Sequence, residues 1–266
     1  MPMNFKIPIY LLLGIIFLIE FPKDVLAQKK KNIETETCNR ILNFEFQYTY
    51  QMPQGYLASR FGNVHSASFG GIIKSKGNWM YGFDATYQFG TEVNNETAQN
   101  ILINLSNSTG TISNSSGSPG MVILGERGFN VLFKGGKLIN LSKNSPNSGL
   151  AFILGIGFLS HKISITTPEN NVPTLSDELK KGYDRLSMGF AMSQFVGYYF
   201  QGKNRMTNFY VGLDITEGFT TNTRGFNYDS RQPDTGSHFD VFIGPKFCWM
   251  IPVYLASKNQ DEFIYK

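Results

Sequence analysis

Cysteine, histidine and tryptophan are scarce in this chain, and so is charge. Among 266 residues there are 2 Cys, 3 His and 2 Trp, and only 17% of the residues are charged. Two cysteines exclude a disulfide-rich scaffold, and so few Cys and His residues disfavour a zinc or iron–sulfur centre. The formal net charge of +4 is too small for a nucleic-acid-binding protein. We therefore expect no metal site and no nucleic-acid partner.

A long hydrophobic run is also lacking after residue 27, but an apolar segment precedes it. Ile7–Ile19 follows Lys6 and has the length of a signal-peptide core, which is too short to span a bilayer as a helix. We expect residues 1–27 to be a cleaved signal peptide, so that the mature chain begins at Gln28. An uncleaved membrane anchor is the alternative.

Strict alternation between large apolar residues and small or polar residues recurs along the rest of the chain. In Leu42–Tyr50, Leu, Phe and Tyr fall on one face, and Asn, Glu, Gln and Thr fall on the other. The same pattern is clear in Trp79–Gly90, Phe209–Phe219 and Phe239–Trp249, and weaker in 64–74, 121–134, 150–160 and 186–200. A period of two residues is typical of β-strands, so the sequence predicts eight strands.

The predicted links between strands alternate in length. The shorter ones are 76–78, 135–149 and 201–205, and the longer ones are 52–63, 91–120, 162–184 and 220–236. Short links at one rim and long loops at the other are typical of outer-membrane barrels. The tract 94–120, rich in Ser, Thr, Asn and Gly, is expected to be a mobile loop.

The composition of the two strand faces favours a membrane barrel over a secreted sandwich or lipocalin-like barrel, which also alternate. The less apolar face carries mainly small residues, and aromatic residues end the apolar stripes, as in interfacial girdles. We predict an all-β fold, an eight-stranded antiparallel transmembrane β-barrel with short periplasmic turns and long extracellular loops, in the bacterial outer membrane. The barrel would span 41–250, between a periplasmic N-terminal segment (28–40) and a periplasmic C-terminal tail (251–266).

Several short phrases resemble the small eight-stranded outer-membrane barrels of Bacteroidota. They are the Ala27–Gln28 junction, Gly182–Arg185, Asn208–Gly212 and the ending Trp249–Tyr254. The resemblance covers residues 28–266 and contains no catalytic motif. Some of these barrels, the PorG-like and PorT-like proteins, serve type IX secretion, and the similarity to them is at the level of the fold.

Charged residues on the predicted lumen face are the first candidate site. By strand parity they are Glu45, Asp84, Lys134, Arg185, Asp214, Asp240 and Lys246, while the parity of Glu126 and Arg127 is ambiguous. Buried charges must be paired because desolvation of a lone charge costs several kcal/mol. We therefore expect an ion-pair network that fills the lumen; a proton or ligand relay is the alternative.

The histidines and cysteines form the other candidates. His65, His161 and His238 all adjoin predicted long loops, but none has a metal-ligand spacing. Cys38 and Cys248 would lie at the seam between the first and last strands, where a disulfide between them is reachable, or they are two unrelated thiols.

These features predict a non-catalytic outer-membrane barrel without a cofactor. It would be a structural or accessory component of a cell-envelope assembly, of which type IX secretion is one, surrounded by outer-membrane lipid. Its loops or C-terminal tail would bind another envelope protein. Two alternatives stay open: a barrel whose rim binds a small molecule or glycan, and a lipid-modifying enzyme. The enzyme would have only His65 with Ser66, or His238 with Asp240, as candidate catalytic groups.

Overall fold

The computed structural model describes residues 40–254, apart from 108–109, 143–144, 146, 169–171, 173–174 and 203–205. The predicted signal peptide, the segment 28–39 and residues 255–266 of the predicted tail lie outside the described residues. The strands of the main sheet are β1 (Ile41–Gly55), β2 (Val64–Lys74), β3 (Trp79–Gly90), β4 (Ile123–Asn140), β5 (Gly149–Thr166), β6 (Ser187–Gln201), β7 (Asn208–Asn222) and β10 (Ser237–Tyr254). The loops contain a 3₁₀ turn (Leu57–Ser59), helices α1 (Asn95–Leu105) and α2 (Asp177–Tyr183), and the two-residue strands β8 (Phe226–Asn227) and β9 (Gln232–Pro233).

The eight long strands close into one antiparallel barrel, in the order β1-β10-β7-β6-β5-β4-β3-β2. The predicted all-β barrel and its strand number are therefore confirmed. The seam between β1 and β10 begins at the pair Ile41 and Tyr254. The barrel consequently ends at Tyr254 rather than at the predicted Met250, because residues 251–254 pair with the first residues of β1 and complete the seam.

Both ends of the barrel chain lie at the rim that carries the short connections. The segments 75–78, 141–148 and 202–207 link strands there, whereas the 3₁₀ turn, both helices and the β8–β9 pair belong to connections at the opposite rim. Short turns mark the periplasmic side of an outer-membrane barrel and long loops the extracellular side.

The outer wall of the barrel exposes large apolar side chains. Tyr81, Phe133 and Ile156 are 57%, 68% and 54% exposed, and each alternates with a residue that faces the lumen. Aromatic pairs lie toward both ends of this apolar belt, among them Phe200 with Phe209 and Phe219 with Phe239. Such a surface would aggregate in water and matches the lipid-facing band of a membrane barrel.

The extracellular tract 94–120 contains a helix, where the sequence predicted only a mobile loop. The side chain of Asn94 caps α1 by accepting a hydrogen bond from the backbone N–H of Glu96 at 3.1 Å. Thr97, Ile101 and Leu105 recur every four residues and form the buried face of α1. No helix among the described residues is long and apolar enough to cross a bilayer.

The lumen is filled by side chains in three layers. An apolar cluster near the periplasmic rim includes Met80, Leu138 and Phe195, and a second one toward the extracellular rim joins lumen residues such as Leu159 to Ile101 of α1. Polar and charged side chains lie between the two clusters. A cavity in this middle layer has a volume of only about 10 Å³, which is about the space that one water molecule requires.

Candidate functional site

Lys134 is the centre of the middle lumen layer. Its ammonium lies 2.7 Å from Glu45 Oε2 and 2.8 Å from Asp84 Oδ2, so that one cation from β4 bridges carboxylates on β1 and β3. Gln47 donates to the same two carboxylates, at 3.1 and 3.4 Å. Each of these four residues is at most 8% exposed. The structure therefore brings together three of the predicted lumen charges in a buried ion-pair triad.

A glycine on β2, between the two carboxylate-bearing strands, leaves room for Glu45 and Asp84 to lie close to Lys134. Gly70 on β2 pairs with Glu45 on one side and with Asp84 on the other. A Cβ atom at this position would lie 2.3 Å from the carbonyl oxygen of Phe83 and 2.8 Å from Cβ of Asp84. A side chain at residue 70 would therefore push the wall away from the triad.

The remaining predicted lumen charges form separate pairs rather than one continuous network. Lys246 and Asp214 lie 2.5 Å apart on β10 and β7. Asp240 accepts a hydrogen bond from Thr220 Oγ1 at 2.6 Å and contacts His161 Nε2 at 2.8 Å. His161 is buried in the lumen and not at the rim, since β5 continues beyond it to Thr166.

The structure resolves the two residues of ambiguous parity. Glu126 is fully buried on the lumen face, and Arg127 points outward. Neither carboxylate oxygen of Glu126 has a hydrogen-bond partner among the described residues. The nearby buried cation is Arg60, from the loop after β1, which donates to Ser187 Oγ at 3.2 Å and to the carbonyl of Arg185 at 2.9 Å. Burial lowers the pKa of Arg60.

Arg185 is the one predicted lumen charge that the structure places elsewhere. It precedes β6, which begins at Ser187, and its φ of 44° is in the left-handed region. The prediction that Arg185 faces the lumen was therefore wrong, because it extended the strand alternation to residues before Ser187. The Arg185 guanidinium instead forms an ion pair with Asp229, between β8 and β9, and Nε donates to Oδ1 at 3.3 Å.

This pair belongs to a layer of loops over the extracellular rim, called here the cap (the described residues of 56–63, 91–122, 167–186 and 223–236). Arg224 forms a two-point ion pair with Asp184, at 3.0 and 2.8 Å, and this hydrogen bonding raises the pKa of Arg224. Asn104 of α1 donates to the carbonyl of Asp229 at 2.9 Å, and the backbone N–H of Tyr228 donates to Gly182 at 3.0 Å. These contacts tie α1, α2 and the β8–β9 segment to one another.

Asp234 anchors the last loop of the cap. Its carboxylate accepts hydrogen bonds from Asn222 at 3.0 Å and Asn227 at 2.9 Å, and it contacts His238 Nε2 at 2.6 Å. Burial alone would raise the pKa of Asp234, but these hydrogen bonds outweigh it and leave the pKa below its ordinary value. The ring of His238 stacks on Tyr56, with 4.1 Å between ring centroids.

The three histidines do not converge. His65 faces outward and its Nδ1 lies 2.6 Å from the hydroxyl of Tyr48, whereas His161 and His238 contact Asp240 and Asp234. In the part of the chain that the structure describes, no group of three or more His, Cys, Asp and Glu side chains is placed to hold a metal ion.

The predicted disulfide stays a prediction because Cys38 lies outside the described residues. Cys248 is fully buried and belongs to the apolar cluster near the periplasmic rim. It pairs with Gln47, well above the Ile41–Tyr254 pair that ends the seam. Cys248 is therefore inside the barrel rather than at its periplasmic rim.

The cap also exposes apolar side chains. Phe226, Tyr228 and Leu179 are 39%, 44% and 43% exposed. The rings of Tyr228 and Phe226 lie 5.9 Å apart, and those of Tyr228 and Tyr183 lie 5.6 Å apart. These four side chains form the aromatic patch of the cap, which sequence alternation could not reveal because its members lie outside the barrel strands.

An open cleft of about 270 Å³ adjoins this patch. Its lining includes Asn104, Ser106 and Ser113, together with Leu179 and Tyr183. Burial raises the pKa of Tyr183, with a further contribution from Asp229, so the phenol stays protonated at neutral pH. The cleft thus offers neutral hydrogen-bonding groups beside an aromatic ring.

No protein-family model and no curated protein matches the chain. Among solved structures, Neisserial surface protein A is similar at 8% identity and a TM-score of 0.41, over 79% of this chain and 96% of that one. Ail, the attachment invasion locus protein of Yersinia pestis, is similar at 9% identity and a TM-score of 0.41, over 80% and 98%. The outer membrane protein OprG of Pseudomonas aeruginosa has 10% identity and a TM-score of 0.31, over 83% and 97%.

Because these identities and TM-scores are low, the placement of this chain rests on its own architecture. Closure of the sheet leaves no open edge, which lipid would not tolerate, and the outer wall is an apolar belt with aromatic residues toward both ends. The chain is a bacterial outer-membrane β-barrel protein with a filled lumen and a structured extracellular cap.

Proposed function

We propose that this protein is a non-catalytic barrel that anchors a recognition surface, the cap, in the outer membrane as an accessory component of a cell-envelope assembly. The filled lumen is the observation that carries the proposal. Glu45, Asp84 and Lys134 are paired and nearly fully buried there, and apolar clusters lie on either side of them. A barrel packed in this way offers no path for a solute, so we assign its function to the surfaces outside the lumen.

The arrangement of the candidate catalytic groups supports the non-catalytic role that we propose. His65 faces outward while Ser66 faces the lumen, on opposite faces of β2. Asp240 contacts His161 rather than His238, and both partners are buried. A nucleophile must lie within hydrogen-bond reach of its base and of the substrate. These arrangements favour a protein that is not an enzyme.

The aromatic patch is the surface on which we expect a partner envelope protein to bind. Phe226 and Tyr228 are exposed beside the ion pair of Arg185 and Asp229. Aromatic residues surrounded by polar groups are enriched in protein interfaces. The resemblance to PorG-like and PorT-like barrels makes type IX secretion the first assembly to examine.

Site-specific photo-crosslinking in intact cells tests this proposal. A crosslinker in place of Tyr228 should give one defined protein adduct, which the substitution Phe226→Ser should reduce strongly. A crosslinker in place of Lys137, at the periplasmic rim, is the matched control and should not give that adduct. The proposal fails if position 228 gives no adduct, or if both positions give the same one.

The cleft beside α1 favours a second candidate function, the binding of a neutral saccharide. Amide, hydroxyl and aromatic groups line it, and its volume approaches the ~300 Å³ at the lower end of small-molecule sites. A glycan array probed with the purified protein would identify a ligand, and Asn104→Ala should then weaken its binding. Absence of any saccharide signal would eliminate this candidate.

A further inference from the structure

Two basic residues lie side by side on the outer wall of the barrel, toward the extracellular end of the apolar belt. Arg127 on β4 pairs with Lys162 on β5 in the strand register. Both side chains point outward, because their neighbours Glu126 and His161 are buried in the lumen.

Their height on the wall follows from the residues below them. Phe129, two residues from Arg127 toward the periplasm, is 46% exposed, and Phe158, four residues from Lys162, is 43% exposed. Phe89 flanks Arg127 on the neighbouring strand β3. Aromatic residues in this position mark the interface between hydrocarbon and headgroups. Arg127 and Lys162 are therefore at the level of the lipid headgroups on the extracellular side.

No carboxylate among the described residues forms an ion pair with either cation. Arg127 Nη1 donates to the carbonyls of Gly90 and Glu126, at 3.3 and 2.6 Å, which fixes the guanidinium against the wall. Lys162 is exposed. Directly opposed residues in an antiparallel pair have Cβ atoms about 5 Å apart, and like charges there destabilise the sheet. An anion held between the two side chains would remove that repulsion.

We propose that Arg127 and Lys162 form a binding site for the phosphate group of an anionic lipid in the outer leaflet. A fixed guanidinium and a flexible ammonium are the side chains that recognise phosphate best, the first by paired hydrogen bonds and the second as a point charge. The apolar wall beneath them, with Phe129 and Phe158, packs against the acyl chains of the same lipid. The site therefore recognises a lipid by its phosphate and its chains together.

The test uses the full-length mature protein in detergent, with phosphatidic acid as the phosphate-bearing probe and phosphatidylcholine as the zwitterionic one. Native mass spectrometry counts the lipids that stay bound. The double variant Arg127→Gln, Lys162→Gln should retain less phosphatidic acid, by about fivefold for each cation removed, with phosphatidylcholine unchanged. Lys181→Gln makes the same charge change on exposed α2, away from the wall, and should retain as much lipid as the wild type.

Two further samples keep the test decisive. The charge-conserving variant Arg127→Lys, Lys162→Arg should keep most of the binding, and Lys162→Gln alone guards against misfolding caused by the loss of Arg127. Equal loss in Lys181→Gln, or equal retention of both lipids by the wild type, would overturn the site. If inorganic phosphate alone displaces the phosphatidic acid completely, the site binds free anions and the lipid assignment is wrong.

Discussion

The middle layer of the lumen and the extracellular cap both rely on ion pairs, but in opposite surroundings. In the lumen, Lys134 bridges Glu45 and Asp84 with side chains no more than 5% exposed. In the cap, Arg224 pairs with Asp184 while 29% of its side chain stays exposed. Bulk solvent can replace a lost partner of Arg224 but not of Lys134, whose side chain is only 5% exposed. The same kind of contact therefore fixes the barrel and leaves this part of the cap adjustable.

This difference fits the division of roles that we propose. A barrel whose charges cannot separate without a large penalty is a rigid anchor in the membrane. The Arg224–Asp184 pair of the cap costs little to rearrange, as a surface that accommodates a partner requires. Recognition is accordingly expected at the cap, with Phe226 and Tyr228, rather than inside the barrel.

The largest effect is expected from Lys134→Met, which leaves two carboxylates buried without their cation. Removing one partner of a buried ion pair costs about 3–5 kcal/mol. Urea unfolding, followed by the mobility shift of unheated samples on gels, measures the loss. The neutral triple variant Glu45→Gln, Asp84→Asn, Lys134→Met should recover most of it, because no lone charge remains. A stable single variant would show that solvent reaches the two carboxylates.

A smaller effect is expected from Gly70→Ala. The new methyl group would approach the carbonyl oxygen of Phe83 to 2.3 Å, and overpacking of this kind costs about 1–3 kcal/mol. Gly135→Ala is the matched control, since a Cβ atom at residue 135 meets nothing within 4 Å. The same unfolding measurement should separate the two variants. Equal stability would mean that the wall at β2 is not tightly packed.

Arg224→Gln should have little effect on stability. A partly exposed ion pair contributes about 0–1 kcal/mol, so the midpoint of unfolding should stay close to that of the wild type. Limited proteolysis should nevertheless cleave the cap faster, because Arg224 links the loop after β7 to Asp184. A loss of stability comparable to that of Lys134→Met would erase the contrast between the two regions.

The weakest expected effect is a loosening of the cap in acid. The pKa of Asp234 is below its ordinary value of 3.8, so its stabilising contribution is present above that value. The contribution is lost as the pH falls through the lower pKa of the folded state. Side-chain amide NMR signals of Asn222 and Asn227 should shift in this range, and Asp234→Asn should abolish the shift. A transition that persists in Asp234→Asn would have to come from another group.

The barrel could be predicted from the sequence because the alternation of apolar and polar residues is a local pattern that recurs along the strands. The same signal assigned Glu45, Asp84 and Lys134 to the lumen correctly. It failed at Arg185, where the alternation was extended beyond the start of a strand into a turn with positive φ.

Contacts between residues distant in sequence could not be predicted in this way. His161 and Asp240 meet only because β5 and β10 face each other across the lumen. The helix α1 did carry a signal, the spacing of Thr97, Ile101 and Leu105, which the polar composition of the surrounding loop obscured. The pairing of the lumen charges follows from the closed sheet and not from any short motif.

The filled lumen is the central claim, and conductance across a planar lipid bilayer tests it most directly. Purified wild-type protein inserted into the bilayer should add no discrete current steps, because the ion-pair layer and the two apolar clusters occupy the space inside the barrel. Insertion has to be verified on the same membranes, for example by protease protection of the barrel. Reproducible current steps from inserted wild-type protein would contradict the account.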